Sequence, residues 1–105
     1  MAMNISGLES YFPTPGVVHA DIVIDATVRT LGTLNTKTRL VIASPSRAML
    51  ITFDGSAPVQ DGHGILYGAG STLIVNEATA AAVKLILAYS DDTDGALTVQ
   101  EMQRT

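Results

Sequence analysis

Residues 17–30 read "VVHADIVIDATVRT", with an apolar side chain at nearly every second position. A period of two suits a strand that turns one face to a core. Val18, Ala20, Ile22, Ile24, Ala26 and Val28 share that face, and His19, Asp21, Asp25, Thr27 and Arg29 lie opposite; only Val23 breaks the pattern. Further runs follow along the chain. "TRLVIASPS" (38–46) and "AMLITFDG" (48–55), in which Met49, Ile51 and Phe53 share a face, are close enough to predict a hairpin. "GILY" (64–67) and "STLIVN" (71–76) flank Gly68 and Gly70 as two short strands around a sharp corner. "AVKLILAYS" (82–90) and "ALTVQEM" (96–102) are joined by "DDTDG", whose Asp94-Gly95 is the turn expected between paired strands.

Residues 77–88, "EATAAAVKLILA", have a composition that favours helix. The alternation of Val83, Leu85, Leu87 and Tyr89 reads as strand from Val83 onward, leaving residues 78–82 as a loop or a single helical turn. Residues 1–16 have no sustained period and contain Pro13, Pro15 and Gly16, so they read as an extended N-terminal arm. The expected fold is all-β: residues 17–105 form a small antiparallel β-sandwich of jelly-roll or immunoglobulin-like type, with six to seven strands.

The chain has the size of one domain, and 47% hydrophobic against 15% charged residues argues against disorder. A net charge of -4, with six scattered basic residues, argues against nucleic acid as a partner. No apolar run approaches the roughly 20 residues of a membrane-spanning helix, so no membrane partner is expected. The absence of cysteine excludes disulfides, thiolate metal sites and cysteine nucleophiles.

Three constellations raise the question of chemistry. Asp54, Asp61 and His63 are types that bind a divalent metal or move protons. Asp54-Gly55 and Asp61-Gly62 are also ordinary turn dipeptides whose carboxylates cap local N–H groups, and that reading is preferred. Gly62, Gly64, Gly68 and Gly70 match no phosphate-binding loop, because no Lys-Ser/Thr follows and no helix opens there. "SDDTDGALTVQE" places Ser90, Asp92, Asp94, Gly95, Leu97 and Glu101 at positions 1, 3, 5, 6, 8 and 12 of an EF-hand loop. It departs from that pattern in its first ligand and in lacking room for an exit helix, so an acidic turn is preferred. Tyr11, Tyr67 and Tyr89 are scattered and read as partly buried side chains. No nucleophile elbow is found, and no enzymatic activity, cofactor or metal is expected.

The order of features in "RLVIASPSRAMLITFDGSAPVQDGHGILYGAGSTLIV", followed by "VKLILAYSDDTDGALTVQEM", resembles small virion proteins of tailed bacteriophages. The likeness spans roughly residues 38–102 and is one of pattern; the alanine-rich stretch 78–82 departs from it. The resemblance implies a β-sandwich without catalytic residues that decorates or cements the capsid, binding the major capsid protein or other virion proteins. A head–tail connector or tail component is the alternative, and self-association into a homo-oligomer is expected. Localisation would be the virion, after assembly in the host cytoplasm. Ile5, Leu8, Tyr11 and Phe12 are the candidate partner contacts, as apolar groups in a segment too irregular to bury them in its own sheet. The rival readings are a cupin-like, metal-dependent enzyme, for which His63 stands with too few ligands, and a calcium- or carbohydrate-binding β module using Asp92, Asp94 and Glu101.

Overall fold

Strand β9, Gly95–Arg104, is the longest element, and its alternation sorts the molecule into an inside and an outside. Leu97, Val99 and Glu101 are buried, while Thr98 and Gln100 are exposed. The computed structural model describes residues 10–105. Around β9 lie β1 (Tyr11–Pro13), β2 (Ile22–Ile24), β4 (Leu40–Pro45) and β7 (Leu73–Asn76), forming a five-stranded antiparallel sheet. β4 pairs with β9 on one side and β7 on the other. On the opposite edge of β9, β1 pairs with Met102–Arg104 and β2 with Gly95–Leu97.

The second sheet has four strands in the order β3 (Arg29–Thr30), β8 (Lys84–Leu87), β5 (Met49–Thr52) and β6 (Ile65–Tyr67). The two sheets pack face to face as a small β-sandwich. Ile24, Val41, Ile51, Leu85 and Leu97 interlock between them with no solvent exposure. Burying each such side chain contributes roughly 1.5–3 kcal/mol.

The described residues form nine strands, more than expected, because one run that read as a unit is cut by a crossing between sheets and the expected arm supplies β1. The run 17–30 divides into β2 in one sheet and β3 in the other. Asp25 holds the crossing: its Oδ1 accepts from Thr27 N at 3.0 Å, its Oδ2 accepts from Arg29 at 2.8 Å, and its carbonyl accepts from Leu87 N. Val18 lies outside any strand and is 86% exposed, so the single core face expected from Val18 to Val28 does not exist.

The two expected hairpins are also replaced by crossings. β4 and β5 belong to different sheets, as do β8 and β9. Gly95 serves a close approach: a Cβ there would stand 2.8 Å from Ser46 Oγ and 2.9 Å from Arg47 Cβ. β5 and β6 are the consecutive strands that do pair. Their connection, residues 53–64, reaches the residue that follows β8, where Asp61 N donates to Ala88 O at 2.9 Å. Leu50, Ile86 and Ala88 are thus buried in a second cluster on the outer face of the four-stranded sheet.

Residues 77–82 form one short helix, α1 (Glu77–Ala82), capped by Asn76 Oδ1 accepting from Thr79 N at 2.8 Å. Ala80 is fully buried in the main core. Tyr11–Pro13, within the expected extended arm, are strand β1 on β9, and Tyr11 and Phe12 are half-buried there. Ile5 and Leu8 lie outside the described residues.

Candidate functional site

Glu101 occupies an inward position of β9, in register with Leu97 and Val99, where a hydrophobic residue would be ordinary. Residues 98–101 of β9 have no strand partner on the edge shared by β1 and β2. The chain between those strands bridges the gap instead. Thr14 N donates to Glu101 O at 2.9 Å, and His19 Nε2 lies 2.6 Å from Glu101 Oε2. From the other side, the segment joining β3 to β4 delivers Leu34 N at 2.8 Å to Oε2, then Asn35 N at 3.3 Å and Thr38 Oγ1 at 2.6 Å to Oε1. Thr14 Oγ1 lies 3.2 Å from Thr38 Oγ1 and completes a buried network.

An ionised carboxylate has about four lone-pair sites, and four donors face this one. Burial pushes the Glu101 carboxyl up, but the hydrogen bonds from Thr38, Leu34 N–H, His19 and Asn35 N–H outweigh it and hold the group below its ordinary 4.5. Glu101 has no exposure and the His19 side chain is 8% exposed. With its oxygens saturated by protein donors, the carboxylate has no open coordination position to offer a substrate or metal. It acts as a pin, tying two loops to β9.

The EF-hand spacing is therefore not realised in space. Extended β9 carries Glu101 about 20 Å along the strand from Gly95. Asp92 Oδ1 instead accepts from Thr93 N at 2.8 Å. Among the described residues, no group of three or more His, Asp or Glu side chains is arranged to hold a metal ion.

Asp54 and His63 do come together. They line a cleft of about 260 Å³ with Ile51, Thr52, Gly64 and Ile65, where β5 ends and β6 begins. Asp54 Oδ1 accepts from Ser56 N at 3.0 Å and from Ser56 Oγ at 2.6 Å, and these bonds lower its carboxyl from the ordinary value. Ser56 Oγ lies 3.5 Å from His63 Nε2. The serine sits between carboxylate and imidazole and gives its proton to Asp54, so the order is not that of a nucleophile activated by histidine. Asp61 caps a distant group, with Ser90 N 3.3 Å from its Oδ2. Tyr67 packs against the main core and Tyr89 is exposed.

The sequence reading missed the pairing of His19 with Glu101. The available signal was parity: in "ALTVQE", Glu101 falls on the same face as Leu97 and Val99. Nothing local linked it to His19, which stood on the polar face of an expected strand. The chain matches no family model, no curated protein and no solved structure.

Proposed function

We propose that this chain is a non-enzymatic structural protein of a tailed-phage virion, a capsid decoration or cement protein that binds neighbouring capsid subunits. The observation that carries the binding part is the apolar edge of the four-stranded sheet, left uncovered among the described residues, where Ile65 and Leu66 are 55% and 53% exposed. Exposed apolar side chains on an open strand edge are characteristic of contacts completed by another chain. The saturated Glu101 carboxylate supports a scaffold role over a catalytic one. The virion part rests on the resemblance of residues 38–102.

On a shell, a small interface is repeated at every equivalent position, so weak individual contacts add up to avidity. Such a protein would act mechanically, raising the free energy needed to separate adjacent subunits. A head–tail or tail component is the second reading, with the same contact chemistry at fewer positions.

Co-sedimentation with assembled particles from the native source tests both. A copy number matching the capsid lattice is the expected result. One matching a single ring would assign the chain to the neck or tail, and a protein left in the supernatant would overturn the virion reading. Truncation through residue 9, which removes Ile5 and Leu8, is expected to weaken pelleting, with the melting temperature measured alongside to separate lost contact from lost fold.

A further inference from the structure

The edge strands of this sandwich are guarded unequally. β3 carries Arg29, β1 carries Pro13, β2 is flanked by Asp21 and Asp25, and β7 leads into α1, which packs against it. β6 has none of these devices. Its three residues, Ile65, Leu66 and Tyr67, contain no charge and no proline. Their backbone groups make no hydrogen bond beyond the ladder with β5 among the described residues. Natural sheet edges are usually blunted by lysine, proline or a covering segment, because free N–H and C=O groups template another strand.

The stretch of sequence that contains β6 carries no fixed positive charge, His63 being its one titratable base. From Ala48 to Val83 the sequence contains no lysine or arginine, whereas Asp54, Asp61 and Glu77 all fall within it. Asp54 lines the cleft beside β6 together with Ile65. Its Oδ1 is engaged by Ser56, and its Oδ2 has no hydrogen-bond partner among the described residues. Lys84, two strands away in the same sheet, donates to Thr30 Oγ1 on the opposite edge. In a symmetric antiparallel pair of β6 edges the Ile65 end of one copy, near Asp54, would meet the Tyr67 end of the other, and the cation in register there, Arg47, packs its Cβ and Cγ beside Gly95 of the five-stranded sheet, so a second copy is the weaker fit.

We infer that the outer edge of β6 is a strand-addition site for an extended segment of another protein chain, apolar at alternate positions and carrying a lysine or arginine against Asp54. Backbone pairing supplies the affinity in this mode, and alternate side chains supply specificity. Ile65, the cleft wall and the Asp54 carboxylate are the groups that read the segment. The inference deepens the proposed role and rests on it for the source of the partner, but the site has a test of its own.

The test is a titration of the full chain with a short synthetic peptide alternating valine and threonine and ending in lysines, followed by backbone amide NMR. Saturable shifts and slowed exchange at Ile65, Leu66 and Tyr67 are expected. Leu66→Lys, at an exposed position, should weaken binding by about tenfold or more, and Asp54→Asn should weaken it by a smaller factor that shrinks as salt rises. Unshifted β6 amides would overturn the site, as would equal binding of a glutamate-ended peptide. Concentration-dependent shifts of the same amides without peptide would replace the partner segment with a second copy. In the sedimentation experiment, equal pelleting of wild type and Leu66→Lys defeats the β6 site but keeps the virion reading. Peptide binding at β6 without any pelleting does the reverse.

Discussion

His19 and Glu101, 82 residues apart in the chain, meet at 2.6 Å across a gap in the edge of the five-stranded sheet. The contact substitutes for strand pairing. β1 and β2 each hold one end of β9, and the imidazole and Thr14 hold the middle. A buried carboxylate is costly unless its oxygens are satisfied, and here loops from both sides of β9 converge to satisfy them.

Removing that carboxylate should therefore cost more than its own interactions. Glu101→Ala leaves the buried Thr38 hydroxyl and the part-buried donors from His19, Leu34 and Asn35 facing a void, and is expected to destabilise the fold by about 3 kcal/mol. Glu101→Gln keeps the shape and two lone pairs but turns an NH₂ toward existing donors, so it should cost less, on the order of 1–3 kcal/mol. Urea unfolding of both variants checks the ranking. Equal stability of Glu101→Ala and wild type would show that the network contributes nothing.

Acid should weaken the fold through the same group. The folded Glu101 carboxyl lies below its ordinary 4.5, so the unfolded chain binds the proton first as pH falls. The stabilisation is fully present above 4.5 and is lost as pH drops through the folded value. Asp25, bonded to Arg29 and Thr27 N, and Asp54, bonded to Ser56, are lowered too and act in the same direction. The expected urea midpoint declines in this acid range, with a shallower decline in Glu101→Gln. Parallel curves for the two proteins would assign the acid sensitivity to other groups.

His19→Ala tests the tether separately from the carboxylate. Loss of one hydrogen bond to a charged acceptor should cost about 1.5–3 kcal/mol. Its signature is local: amide exchange should rise in residues 14–21 and at the ends of β1 and β2 before it rises in β4 or β8. Uniform acceleration across both sheets would count against a role confined to the gap.

Gly64 carries a different constraint. Its φ is +138°, and a Cβ there would come within 2.9 Å of Leu50 Cβ and 3.3 Å of Ile51 N. Alanine would have to displace β6 from β5, at a cost of about 1–3 kcal/mol. Gly64→Ala is expected to lower the melting temperature and to perturb amides of β5 and β6. Gly68→Ala meets open space and should leave the melting temperature near wild type.

Much of the architecture was legible because strand alternation is local. Leu97, Val99 and their neighbours announced β9, and Ile51 and Leu85 announced the inner face of the other sheet. For residues 78–82 the sequence left a loop and a single helical turn open, and the Asn76 cap seen in the structure goes with the helix. The turn reading of Asp54 was local in the same way, since Ser56 supplies both of its donors.

What alternation cannot express is the sheet to which a run belongs. "TRLVIASPSRAMLITF" looks the same whether its halves pair or face each other, and the close packing of Gly95 on Ser46 and Arg47 goes with the second arrangement. Glu101 shows the same limit for the site. Its spacing from Asp92 and Asp94 matched an EF-hand loop, yet an extended strand separates those groups and loops distant in sequence bring His19 and Thr38 to it instead. Local periodicity determined most of the strands and the inward faces of β5, β8 and β9, but not β1 or the division of the run 17–30. Pairing between distant segments, governed by how two sheets close on one core and by the need to satisfy a buried charge, decided the rest.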